Sequence, residues 1–130
     1  MSEKTSILIV DDDPDFRLTT KLVLEGAGYA VLTAIDSNEA ATVAAEQQPD
    51  LILLDVIMEE VDAGFVFAER YGKTYPIVLL SSIADSSVKI FDIHELPVRG
   101  ILQKPIQPDA LLETVRNALA ASTEDEESNS

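Results

Sequence analysis

The chain has 130 residues, the size of one domain, with a formal net charge of −15 at pH 7 and 46% hydrophobic residues. That balance predicts a packed core rather than a disordered chain. It argues against nucleic acid or an anionic membrane surface as a direct partner, since both call for a basic footprint. There is no cysteine, and His94 is the single histidine, which excludes disulfides, thiolate metal sites and multi-histidine metal sites. No window approaches the roughly 20 apolar residues of a membrane span. The apolar run at residues 7–10 is too short for a signal peptide, so a cytoplasmic protein without membrane insertion is expected.

Apolar runs alternate with amphipathic segments along the chain. SILIV (6–10) is the first predicted strand. It runs into Asp11, Asp12, Asp13 and Pro14, after which residues 15–26 show helical spacing, with Asp13 as N-cap and Gly26 and Gly28 stopping the helix. AVLTA (30–34) is a second strand, and residues 37–47 a second helix with Ser37 as N-cap. DLILLD (50–55) and PIVLLSS (76–82) are strands flanking a third helix near 64–73. The stretch 84–97 allows either a short helix or a longer loop. RGILQK (99–104) is the fifth strand, and Pro108 opens the last helix, through Leu111, Leu112, Val115 and Leu119.

Most of these runs are continuously apolar, as strands buried on both faces of a parallel sheet are. Five strand–helix repeats predict a (βα)5 α/β fold, a doubly wound five-stranded parallel sheet with helices on both faces; strand 2 is expected outside strand 1, in the flavodoxin-like order 2-1-3-4-5. The domain is expected over residues 1–122. The tail TEDEESNS (123–130) has no apolar residue and is expected to be disordered.

Ligands of open α/β sheets bind beyond the carboxyl ends of the strands. There strand 1 delivers Asp11, Asp12 and Asp13, strand 3 Asp55, strand 4 Ser81 and Ser82, and strand 5 Lys104 and Pro105. Three adjacent aspartates repel one another, so a group of opposite sign is expected close by. Carboxylates without histidine or cysteine suit a hard, oxygen-loving cation such as Mg²⁺. A lysine and a hydroxyl suit phosphate oxygens, and a remaining carboxylate can be a nucleophile that forms an aspartyl phosphate. Phosphoryl transfer needs mainly positioning and charge neutralisation, which this set supplies.

ILIVDDDP, DLILLDVIM, VLLSS and LQKPI, in this order and spacing, resemble the receiver domain of two-component response regulators, over residues 6 to about 120. The resemblance implies Asp55 as phosphoacceptor, with Asp11, Asp12, Asp55 and the backbone carbonyl of Ile57 around Mg²⁺ or Mn²⁺. It implies that Ser81 and Lys104 contact the phosphoryl group, and that the Lys104–Pro105 bond is cis. A histidine kinase or histidine phosphotransfer protein would be the donor. Output would pass by phosphorylation-dependent contact with a downstream protein, or the chain would act as relay or sink. It would be a phosphoacceptor with autophosphatase activity and not a turnover enzyme. Only eight polar residues follow Ser122, so a single-domain regulator, complete as it stands, is expected.

The sequence departs from the family pattern at several positions. The aromatic switch residue three before the lysine is Ile101. Glu59 and Glu60 replace the usual Pro-Gly after the phosphoacceptor, and IHELPVRG (93–100) is unlike the common approach to strand 5. Ile57 and Ile83 stand where relatives border the path of hydrolytic water. Neither can orient a water, which predicts slow self-dephosphorylation. Leu18 and Leu22, one turn apart on the first helix, could lie outside its core-facing side. Two other functions compete: a small haloacid-dehalogenase-like phosphohydrolase using Asp11, and a receiver-like binding module independent of phosphorylation.

Overall fold

The structure, a computed structural model, describes residues 4–55, 67–68, 70–82 and 98–128. In chain order these form β1 (Ser6–Val10), α1 (Pro14–Gly26), β2 (Ala30–Ala34), α2 (Ser37–Gln47), β3 (Leu51–Asp55), β4 (Ile77–Ser82), β5 (Gly100–Lys104) and a last helix, Pro108–Ser128. All strand pairs are parallel, and the sheet order is β2-β1-β3-β4-β5, the order expected. Of the expected third helix, residues 67, 68, 70 and 71 are helical. Ile57, Glu59, Glu60, Ile83, His94 and the whole stretch 84–97 lie outside the described residues.

The central strands β1, β3 and β4 are mainly apolar and buried because both faces of the sheet are covered there. Side chains alternate across a strand, and two apolar layers result. Ile7, Ile9, Leu51, Leu53, Val78 and Leu80 face Leu24 of α1 and Leu111, Val115 and Ala118 of the last helix. Leu8, Val10, Ile52, Leu54, Ile77 and Leu79 face Ala40 and Ala44 of α2 together with Phe67 and Ala68. On the helices the buried positions recur one turn apart, as with Thr20 and Leu24 of α1. Leu18 and Leu22 of α1 are exposed, on the side turned away from the sheet.

The helix starts are set by short acidic side chains. Asp13 caps α1, its Oδ1 accepting the N–H of Asp15 at 3.0 Å and of Phe16 at 3.5 Å, and Pro14 follows in the first turn. α2 is capped by Asp36 and not by Ser37. Asp36 has extended backbone (φ −152°, ψ 178°) and accepts the Glu39 N–H at 2.8 Å, which makes Ser37 the first helical residue. The Glu39 carboxylate in turn accepts the Ile35 N–H at 2.9 Å, so donors at the helix start are served from both sides.

α1 stops where expected, at Gly26, and Gly28 turns the chain with φ +100°. α2 ends differently, with Gln48 in the left-handed region at φ 48°, a conformation that glycine adopts more readily. The last helix continues to Ser128, past the boundary expected at Ser122. Glutamate has good helix propensity, so TEDEES can extend an established helix even though it has no apolar side chain to bury.

Candidate functional site: an acidic cluster held by a lysine

The period of two that builds the core also builds the site. Asp11 follows Ile7 and Ile9, Asp55 follows Leu51 and Leu53, and Lys104 follows Leu102, all on the face packed against α1 and the last helix. Each of these polar residues stands at or just past the carboxyl end of its strand. The sheet order places β1 and β3 side by side, so two aspartates far apart in sequence become neighbours. Ligand atoms of Asp11, Asp12 and Asp55 lie within 4.8 Å of one another.

Asp11 is fully buried, Asp55 is 5% exposed and Asp12 is exposed. Burying carboxylates this close together is costly unless positive charge or hydrogen bonds compensate. The compensation comes from the other end of the chain. Lys104 Nζ lies 2.6 Å from Asp11 Oδ2 and 3.5 Å from Asp55 Oδ2. The second oxygen of Asp11, Oδ1, accepts the Asp13 N–H at 2.9 Å. Asp13 thus caps α1 with its side chain while its amide supports Asp11, and it is not among the clustered ligand atoms.

Two neighbours escaped the sequence reading. Arg17 donates from Nη1 to the backbone carbonyl of Asp11 at 2.6 Å, pinning the chain where β1 ends. It is the cation nearest to the aspartates in sequence, four residues past Asp13 on a helix, and that spacing was the available signal. The ring of Phe16 lies under Lys104, with Nζ 4.2 Å from its centroid. In sequence Phe16 reads only as part of the apolar face of α1, and nothing local couples it to a lysine on β5.

Ser81 is buried at the end of β4, one residue beyond Leu80, which pairs with Asp55. Across β4 and β5, Ser81 lies opposite Gln103, and Ser82 opposite Lys104. Ile101, opposite Leu79, is 38% exposed on the outermost strand. The Lys104–Pro105 peptide bond is cis. Three carboxylates, no softer donor among them, and ligand atoms close enough to share one ion fit a hard divalent cation. Among the described residues no helix is long and apolar enough to cross a membrane.

Known proteins resemble this chain over most of its length. The family model of the response regulator receiver domain matches residues 7–116. The ycf27 protein of Cyanophora paradoxa is 34% identical over 117 residues, covering 89% of this chain and 48% of that protein. RpaA of Synechocystis sp., named a DNA-binding dual master transcriptional regulator, is 34% identical over 120 residues, covering 87% of this chain and 48% of its own length. This chain therefore spans about half the length of these curated relatives. The structure of the chemotaxis response regulator CheY4 of Vibrio cholerae matches with a TM-score of 0.77 at 32% identity, covering 89% of this chain and 99% of that one.

Proposed function

The chain belongs to the response regulator receiver family of two-component signalling, and on that premise we propose that Asp55 accepts a phosphoryl group from the phosphohistidine of a histidine kinase or phosphotransfer protein. The observation that carries this reading is the place of Asp55. It is a nearly buried carboxylate at the end of central β3, with the Lys104 ammonium 3.5 Å away and ligand atoms of Asp11 and Asp12 within 4.8 Å. A carboxylate oxygen of Asp55 forms the new O–P bond as the N–P bond of the donor breaks. The electron pair leaves on the imidazole nitrogen, which takes up a proton.

The chain's own groups position and neutralise, which is most of what phosphoryl transfer requires. Lys104 offers a point charge to the phosphoryl oxygens, and Ser81 a hydroxyl. Asp11, Asp12, Asp55 and the carbonyl of Ile57 would hold Mg²⁺, or Mn²⁺ in its place, which when bound neutralises charge on the transferring group. Both oxygens of Asp11 are engaged, one by Lys104 and the other by the Asp13 amide. That argues against a phosphohydrolase built on Asp11. Decay of the aspartyl phosphate is slow because Ile57 and Ile83 cannot orient water. The phosphorylated face, including Ile101, passes the signal to a downstream protein in the cytoplasm.

The test is intact mass after incubation with Mg²⁺ and a small acyl-phosphate donor, beside Asp55→Asn. A phosphoryl adduct on the wild type alone is the expected result. An adduct that survives Asp55→Asn would move the nucleophile to β1, and none on either protein, with Mg²⁺ bound, would leave a binding module.

A further inference from the structure

Lys104 occupies the space where positive charge is most needed. Its ammonium lies 2.6 Å from Asp11 and 3.5 Å from Asp55, two of the three carboxylates that would ligate a divalent ion. A metal that takes Asp11 Oδ2 must displace that ammonium, because two cations cannot share one oxygen at such range without strong repulsion. Lys104 thus supplies the cluster with an internal positive charge close to where a metal would place an external one.

The lysine is held there from a third side. Phe16 presents its ring face 4.2 Å from Nζ, and an aromatic face attracts a cation within this range. The ring is itself fixed. Phe16 sits in the first turn of α1, where the Asp13 cap accepts its backbone N–H, and its side chain packs against the core layer beneath α1. The same aspartate run that supplies the ligands therefore also anchors the ring that steadies their competitor.

We propose that Phe16 is a positioning residue that parks Lys104 on Asp11 and thereby raises the Mg²⁺ concentration at which the site loads. The proposal rests on the receiver reading of the aspartate cluster and adds a determinant of its metal affinity. Removing the ring while keeping apolar bulk lowers the cost of displacing the lysine. From the usual strength of a partly exposed cation–ring contact, Phe16→Leu should bind Mg²⁺ roughly two- to fivefold more tightly.

The experiment is a calorimetric Mg²⁺ titration of the full chain as wild type, Phe16→Leu, Phe16→Tyr, Lys104→Gln and the Phe16→Leu/Lys104→Gln double variant. It is paired with the NMR shifts of the Lys104 ε-methylene group in the metal-free proteins. The expected result is tighter Mg²⁺ binding and a lost ring-current shift for Phe16→Leu, with both near wild type for Phe16→Tyr. In the Lys104→Gln background, Phe16→Leu should leave affinity unchanged. An equal gain in that background would place the effect in α1 packing and overturn the proposal. A flat Phe16→Leu titration, or no ring-current shift in wild type, would overturn it while leaving the receiver reading standing. Wild type that binds no Mg²⁺ would remove the metal reading of the cluster and the proposal with it. Should Phe16→Leu not fold, the ring-current shift and the comparison of wild type with Phe16→Tyr still decide.

Discussion

Replacing Lys104 with methionine isolates what its charge does for the fold. The stem length is kept, so the Asp11 carboxylate, at 0% exposure, loses its ammonium while the packing over Phe16 is largely retained. Removing one partner of a buried pair typically costs about 3–5 kcal/mol. Here Lys104 is 21% exposed, and water screens part of the interaction, so about 2–3 kcal/mol is the expected loss. For 130 residues, an unfolding entropy of about 2.1 cal/mol/K per residue makes that a fall in Tm of roughly 7–11 °C.

The assay is thermal unfolding followed by circular dichroism, once in EDTA and once in saturating Mg²⁺. Mg²⁺ at a hundred times its Kd stabilises by about 2.7 kcal/mol, and in Lys104→Met it need not evict an ammonium. The gap between variant and wild type should therefore be wide in EDTA and shrink by about half or more in Mg²⁺. Equal Tm values in EDTA would refute the idea that Lys104 compensates the buried carboxylates. The same deficit in both buffers would show that Mg²⁺ does not take over the compensation that the ammonium supplies.

Other consequences are open to direct measurement. Asp13→Ala removes the α1 cap and should cost about 1 kcal/mol in urea unfolding, while the phosphoryl adduct still forms at Asp55. Gln48→Gly should stabilise by about 0.5–1 kcal/mol, because the left-handed φ of 48° no longer strains a side-chain-bearing residue; a loss of stability would contradict that account of the α2 exit. Substituting Ile57→Asn and Ile83→Glu together should shorten the adduct's lifetime severalfold, as followed by mass over time. Unchanged decay would sink the role given to those positions.

The central strands were legible because burial on both faces leaves their interiors apolar. DLILLD, PIVLLSS and RGILQK each predict a strand that differs from the observed β3, β4 or β5 by a single starting residue. The aspartates and the lysine were legible for a related reason: the end of a buried strand is the first place where charge is affordable. The α2 cap was not. Asp36 and Ser37 are both competent caps, and the choice depends on how the chain leaves β2. Gln48 gave no sign of its left-handed backbone, since glycine is the usual marker. The contact between Phe16 and Lys104 was invisible because it joins α1 to β5 through the tertiary fold alone.

The pairing of β5 bears on how faithfully the chain folds. Lys104 and Asp11 are 93 residues apart, so their bond can form only after the outermost strand has docked on β4. Along β5 the inward positions are Leu102 and Lys104, while Ile101 and Gln103 face out. A slip of one residue would exchange the two sets. It would offer the interior an isoleucine and a glutamine and leave Asp11 buried with no ammonium. Apolar content alone discriminates weakly against that error, because Ile101 would be as welcome inside as Leu102. The ion pair discriminates strongly. A chain that has misassembled its final strand is therefore destabilised at the acidic cluster itself, the same place where the proposed chemistry would be lost.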